Sequence, residues 1–328
     1  MTREQQRVNW LEEIFPNEIV TLETASADAS FRSYYRVYLG QKSQILMDAP
    51  PDKEPCDSFI KISERLVKAN IHAPKIYARN MQQGFLLLED LGNRDYLGHL
   101  NENNVDEFYC EAIDTIIQMQ QSAACDDLPK YDQDLLHREM ALFKDYLMER
   151  HLGIRMSPSM LADWNHVNEI LVHNALQQEQ YFVHRDYHSR NLMVHERHNP
   201  GVIDYQDAVK GPITYDLVSL LKDCYIKWPL AKVESWVRYY YDNSTIAKAQ
   251  GFEQCVRQFH LMGVQRHLKA SGIFCRLYYR DGKDGYFKDI PRTLSYIVDL
   301  KDTFPELTTL CDLIEEEIQP QWQQVPTP

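Results

Sequence analysis

The chain has 328 residues, 44% of them apolar, enough for a sizeable core in one two-lobed protein or two domains. Its formal charge of −13 argues against a nucleic-acid-binding surface and against attraction to an anionic membrane. The N-terminus is polar, no apolar run is long enough to span a bilayer, and the seven cysteines form no C-x-x-C pair, so the expectation is a cytoplasmic protein with free thiols, no membrane segment and no obligate protein partner.

Residues 3–15 carry Val8, Leu11, Ile14 and Phe15 at helical spacing, and Pro16 ends the run. Residues 19–24, 32–39 and 43–48 read as three strands of an antiparallel meander, stopped by Pro50 and Pro51. The first connection, residues 25–31, has no glycine, but its small residues, Ser30 among them, would let backbone N–H groups approach a phosphate. An ordinary hairpin loop is the competing reading. Residues 56–69 form a helix with Phe59, Ile60, Ile62, Leu66 and Val67 on its apolar stripe. Glu64 on that helix is either solvated or the inward partner of a phosphate-binding cation. Residues 74–78 and 85–88 add two strands, and the second runs into Glu89, Asp90, Leu91 and Gly92. That end reads either as a plain turn or as an interlobe hinge, with backbone groups from Glu89 to Leu91 hydrogen-bonding adenine.

From Asn104 the texture is helical, through residues 105–122, 135–152 and 160–177. Two short apolar runs, 181–183 and 192–194, then flank a polar loop, and a third, 202–203, ends in Asp204. Residues 214–221 open another helix, where Asp216 either accepts its own first-turn N–H groups or braces the loop from beneath. Residues 233–242, 252–274 and 286–304 are further helical segments, 278–285 is a turn-rich loop, and the Pro/Gln-rich tail 320–328 is expected to fray. The sum is an α+β fold of two lobes, with an antiparallel-sheet N-terminal lobe over residues 1–91 for nucleotide and a mainly helical C-terminal lobe over 92–328 for catalysis and substrate.

The polar loop reads His-x-Asp-x-x-x-x-Asn at His184, Asp186 and Asn191, and Asp204 follows Asn191 by 13 residues. Phosphoryl transfer needs a carboxylate that orients the attacking hydroxyl and takes its proton. It also needs one or two protein oxygens for Mg²⁺ on the phosphates of ATP. Asp186 is the candidate catalytic base, and Asn191 and Asp204 are the candidate metal ligands. A polar loop joining two core strands is the bland reading, and the flanking strands with the strand-terminal Asp204 favour the site. His184 is expected to pack within the loop. No Walker, nucleophile-elbow or H-E-x-x-H motif occurs.

These residues resemble the aminoglycoside phosphotransferase family, which shares the protein-kinase-like fold. Residues 27–32 (Ala-Asp-Ala-Ser-Phe-Arg), 46–51 (Leu-Met-Asp-Ala-Pro-Pro), 184–191, 203–207 (Ile-Asp-Tyr-Gln-Asp) and the Gly272-Ile-Phe-x-Arg276 run are similar to bacterial cell-wall amino-sugar kinases. Members of that group phosphorylate the anomeric hydroxyl of N-acetylmuramate and N-acetylglucosamine in peptidoglycan recycling. The resemblance implies ATP and Mg²⁺ as cofactors and a small-molecule sugar as partner. One departure is Met47, standing where a protein kinase places its phosphate-binding Lys; Arg32 and Arg36 are the candidate replacements. Arg266 and Arg276 are candidates for a sugar carboxylate, against a reading as surface salt bridges. Two other functions stay open: a kinase for a cationic aminoglycoside or choline-like amine, and a non-catalytic nucleotide-binding pseudokinase, which Met47 permits.

Overall fold

The computed structural model describes residues 1–27 and 31–325. The chain divides into two compact units, Met1–His99 with Asn191–Asp207, and Leu100–Arg190 with Ala208–Pro328.

The first unit starts with α1 (Arg3–Ile14), opened by a capping box in which Thr2 accepts from the Gln5 N–H and Gln5 accepts from that of Thr2. Its buried Trp10 and Leu11 pack into one cluster with Val37, Leu46, Phe85 and Leu87. Those partners come from a five-stranded antiparallel sheet of order β1-β2-β3-β5-β4, made of β1 (Val20–Ala27), β2 (Ser33–Leu39), β3 (Lys42–Asp48), β4 (Ile76–Asn80) and β5 (Phe85–Glu89). Phe85 and Leu87 lie in the cluster with α1. Leu86 and Leu88, on the opposite face by strand alternation, are buried too, which is why β5 reads as a continuous apolar run. Arg3 and Arg7 close on Asp48 at 2.5 and 2.8 Å, tying the start of α1 to the end of β3. α2 (Asp57–Lys68) buries Phe59, Ile60, Ile62 and Leu66, the expected stripe apart from Val67, which is exposed.

A short helix, α3 (Tyr96–His99), and a two-stranded ribbon of β7 (Leu192–Met193) and β8 (Gly201–Val202) complete this unit. Val202 N–H donates to His72 O and Val194 N–H to Arg94 O, each at 2.8 Å. A Cβ on Gly201 would lie 2.8 Å from Leu91 Cδ1, so the end of that side chain packs directly against the glycine. A single boundary after Leu91 does not anticipate this grouping, because the ribbon's partners lie about a hundred residues earlier in the chain.

The second unit contains α4 (Val105–Ser122), α5 (Gln133–Leu142), α6 (Pro158–Gln177), α7 (Tyr215–Leu221), α8 (Leu230–Asn243), α9 (Thr245–Lys248), α10 (Phe252–Asp281), α11 (Ile290–Val298), α12 (Thr308–Asp312) and α13 (Gln319–Gln324). β6 (Gln180–Val183) pairs with β9 (Val209–Pro212). β9 escapes the sequence pattern because Val-Lys-Gly-Pro has no alternation and two strand breakers. α10 is 30 residues long and packs on α5, α6, α7 and α11. It runs on through most of the expected loop at 278–285 and stops at Gly282, whose φ of 67° is a left-handed cap. The expectation that the tail frays from Pro320 is also overturned for residues 320–324. Pro320 follows the π-helical turns Leu313–Ile318, within a helical run that is continuous from Thr308 to Gln324.

Gly272 marks the tightest crossing of the second unit. A Cβ there would stand 2.2 Å from the carbonyl carbon of Leu142 and 2.5 Å from the N of Phe143. At Phe143 the helix after α5 widens into π-helical turns, Phe143–His151. The Gly272→Ala protein should therefore lose about 3 kcal/mol of stability in urea unfolding, since the backbone it strikes cannot rotate away. An unchanged midpoint would contradict this crossing.

Candidate active site

In the second unit, β6 delivers the chain into the loop that begins at His184. This loop is held by backbone, because two buried carboxylates accept its N–H groups. Asp216, in the first turn of α7, accepts from His184 N at 2.7 Å and from Arg185 N at 3.0 Å. Of the two roles open to Asp216 from sequence, the brace is the one observed. Asp223, two residues past the end of α7, accepts from both N and Oγ of Ser189, at 2.9 and 2.5 Å. Its second oxygen takes the N–H of Tyr225 at 2.8 Å. The His184 ring is fully buried, and its Nδ1 accepts from Asp186 N at 3.2 Å. Between these anchors Arg185 has φ 78°, a left-handed conformation costing a non-glycine residue about 1–2 kcal/mol.

The charges beneath the loop form one network. Glu139, on α5, makes a short ion pair with Arg185 and lies 3.0 Å from Lys269 Nζ. Lys269 also donates to Tyr215 OH at 2.9 Å. Burial would raise the Glu139 carboxyl, but Lys269 and Arg185 outweigh it and hold the group ionised. The same balance governs Asp186. Burial pushes its carboxyl up, while Lys269, His188, Arg266 and Arg185 together bring it below the ordinary 3.8. Burial drives the Asp216 carboxyl up to about 6 and the His188 imidazole down to about 4, so His188 is neutral at pH 7. Asp186 is half-buried, hence reachable by a small molecule.

The first unit carries the other two motif residues. Asn191 Nδ2 donates to Asp204 Oδ2 at 3.3 Å, and Gln206 Nε2 donates to Asp204 Oδ1 at 2.9 Å. Asp204 is at φ 63°, the second strained non-glycine residue of the motif. Rotating the Asn191 amide exchanges its nitrogen for its oxygen, which leaves two hard oxygen donors side by side, a set that fits Mg²⁺.

The remaining sequence candidates fall as follows. Ser30 lies outside the described residues. Arg32 is buried against Glu54 at 2.7 Å, and its guanidinium carbon is 6.0 Å from the Phe59 ring, which sits 5.0 Å from the ring of Tyr205, next to Asp204. Arg36 is engaged by both oxygens of Asp90 and by Gly92 O. Met47 is fully buried. Glu64 faces out, 3.5 Å from exposed Arg79, so it serves no inward cation. Glu89 pairs with Lys75 through its backbone and its side chain. Leu91 is buried on Gly201. Arg266, buried on α10, donates to Cys224 Sγ at 3.6 Å, and among the described residues the buried Nε atoms of Arg266 and Arg276 have no hydrogen-bond partner. Neither arginine is in a salt bridge among the described residues. Glu139 and Asp223 were missed by sequence reasoning; a lone acid on a helix 46 residues before its partner gives no local signal.

Two outcomes follow. Replacing Lys269 by Met removes the strongest cation acting on Asp186, so the carboxyl pKa of Asp186, followed by ¹³C NMR, should rise. In the wild type, the stability contributed by this ionised group is present above the unfolded carboxylate pKa and is lost as pH falls through the lower folded value. A pKa unmoved by the substitution would contradict the network. Asp216→Asn turns one acceptor into a donor facing backbone N–H, and calorimetry should show a loss of about 1–3 kcal/mol.

Comparison with known proteins gives the family and the fold. The profile of the Phosphotransferase enzyme family matches residues 21–252. The N-acetylmuramate/N-acetylglucosamine kinase of Pseudomonas aeruginosa is 42% identical over 325 residues, covering 95% of this chain and 96% of that protein. The enzyme of the same name from Neisseria meningitidis serogroup B is 37% identical over 324 residues, covering 96% of each. Among solved structures, the ADP-bound aminoglycoside phosphotransferase APH(2'')-Ib superposes with TM-score 0.60 at 15% identity, over 89% of this chain and 97% of that one. The choline kinase LicA of Streptococcus pneumoniae gives 0.62 at 12%, over 89% and 98%. The fold is thus the protein-kinase-like one, with an antiparallel-sheet unit and a helical unit, and the chain belongs to the phosphotransferase enzyme family.

Proposed function

We propose that this protein is an ATP-dependent sugar kinase that transfers the γ-phosphoryl group to the anomeric hydroxyl of N-acetylmuramate or N-acetylglucosamine, in the cytoplasm during cell-wall recycling. The observation that carries the reading is Asp186, a half-buried carboxylate held ionised among cations in a loop whose far end leads into the Asn191–Asp204 pair. The names of the relatives supply the acceptor.

In this mechanism Asp186 orients the sugar hydroxyl and accepts its proton as the new O–P bond forms and the bond to the leaving ADP breaks. Asn191 and Asp204 would hold Mg²⁺, which would supply positive charge to neutralise the phosphates. Arg32, fixed by Glu54, and the loop containing Ser30 serve the phosphates, and the chain at Glu89 and Leu91 serves adenine. Residues 1–91 thus act for the nucleotide and 92–328 for catalysis and acceptor. Arg276 belongs to the acceptor side, and buried Arg266 acts there through its charge on Asp186. A cationic aminoglycoside or choline-like acceptor is disfavoured, because Lys269, Arg266 and Arg185 surround Asp186 with the same sign of charge. Among the described residues, no helix is long and apolar enough to cross a membrane.

Asp186→Asn should keep ATP affinity and lower turnover about 10²- to 10⁴-fold in an ADP-release assay with N-acetylglucosamine. Wild-type turnover in that variant would remove the mechanism. Asp204→Asn should instead abolish the Mg²⁺-dependent part of ATP binding in calorimetry. Equal affinity with and without the metal in the wild type would contradict the ligand assignment.

A further inference from the structure

The second unit contains an aromatic and cationic platform beside Asp186 that the mechanism above does not use. The ring of Tyr225 is its centre. His188, two residues after Asp186, sits edge-on to it at 5.2 Å, and Arg190 lies over its face with the guanidinium carbon 3.8 Å from the centroid. Tyr286 approaches Arg190 at 5.7 Å and is stacked at 5.5 Å on Phe274, itself 6.2 Å from Tyr225. Arg190, Tyr225, Tyr286 and His188 are all half-buried, so a small molecule can reach them.

Arg190 has no salt bridge or hydrogen bond among the described residues, and the nearby acid Asp223 already spends both oxygens on Ser189 and Tyr225. Stacking on tyrosine engages the faces of a guanidinium and leaves its five in-plane N–H donors unused. A planar carboxylate is the group that fits such a fork. Arg266 is too deeply buried to offer the same fork to an incoming molecule.

We infer that Arg190, stacked on Tyr225, is the specificity residue that binds the carboxylate of an anionic sugar acceptor and sets the preference for the acid over its neutral counterpart. This rests on the sugar-kinase reading. The relatives' names pair an acidic with a neutral amino sugar, and only the former carries the group that Arg190 would grip.

The test compares N-acetylmuramate with N-acetylglucosamine in steady-state kinetics at saturating Mg·ATP. In Arg190→Met, the KM ratio of acid to neutral sugar should rise about ten- to hundredfold, the loss expected for a charge-assisted bidentate contact. Arg190→Lys keeps the charge without the fork and should restore part of that ratio. A structural role for Arg190 would change both sugars alike and leave the ratio fixed, which overturns the inference while the kinase reading stands. A wild-type protein that turns over neither sugar removes both.

Discussion

Three buried carboxylates do the structural work around the reactive loop, and each takes hold of a different part of it. Asp216 takes the backbone of His184 and Arg185, Glu139 takes the Arg185 guanidinium, and Asp223 takes Ser189. A buried charge left without partners costs several kcal/mol, so each of these acids confines its donor strongly. Asp186 is flanked by anchored residues on both sides. Its negative charge is kept by Lys269 and the arginines.

Holding this loop has a local cost in backbone conformation. Arg185 and Asp204 both adopt positive φ, and strain of that kind persists only where the surroundings over-determine it. For Arg185 the surroundings are visible: both its N–H and its guanidinium are bound to buried acids. For Asp204, hydrogen bonds from Asn191 and Gln206 and the adjacent buried Tyr205 ring on Phe59 have the same effect.

Much of this was legible in the chain. The helical stripe of residues 56–69, the meander before it and the His-x-Asp-x-x-x-x-Asn spacing all depend on local periodicity or short-range order, and the corresponding elements appear with ends shifted by one to three residues. What stayed hidden depends on distant partners. β9 forms only because β6 lies beside it, and Glu139 matters only because Arg185 and Lys269 reach it. The ribbon β7–β8 groups with the first unit through His72 and Arg94, which no window around residue 200 contains. The tail was misread for a different reason: Pro320 looks like a helix breaker, but it follows the π-helical turns Leu313–Ile318 and the helix runs on to Gln324.

Met47 shows where pattern and physics separate. A methionine next to the end of β3 removes the cation expected there, yet arginines stand elsewhere in the first unit. Arg3 and Arg7 serve Asp48, Arg36 serves Asp90, and Arg32 is fixed beside Phe59 by Glu54. The decisive measurement is phosphorus–proton correlation NMR on the product formed by the wild-type protein from Mg·ATP and N-acetylglucosamine. The account predicts a phosphate coupled to the anomeric proton; no sugar phosphate, or one on any other hydroxyl, would contradict it.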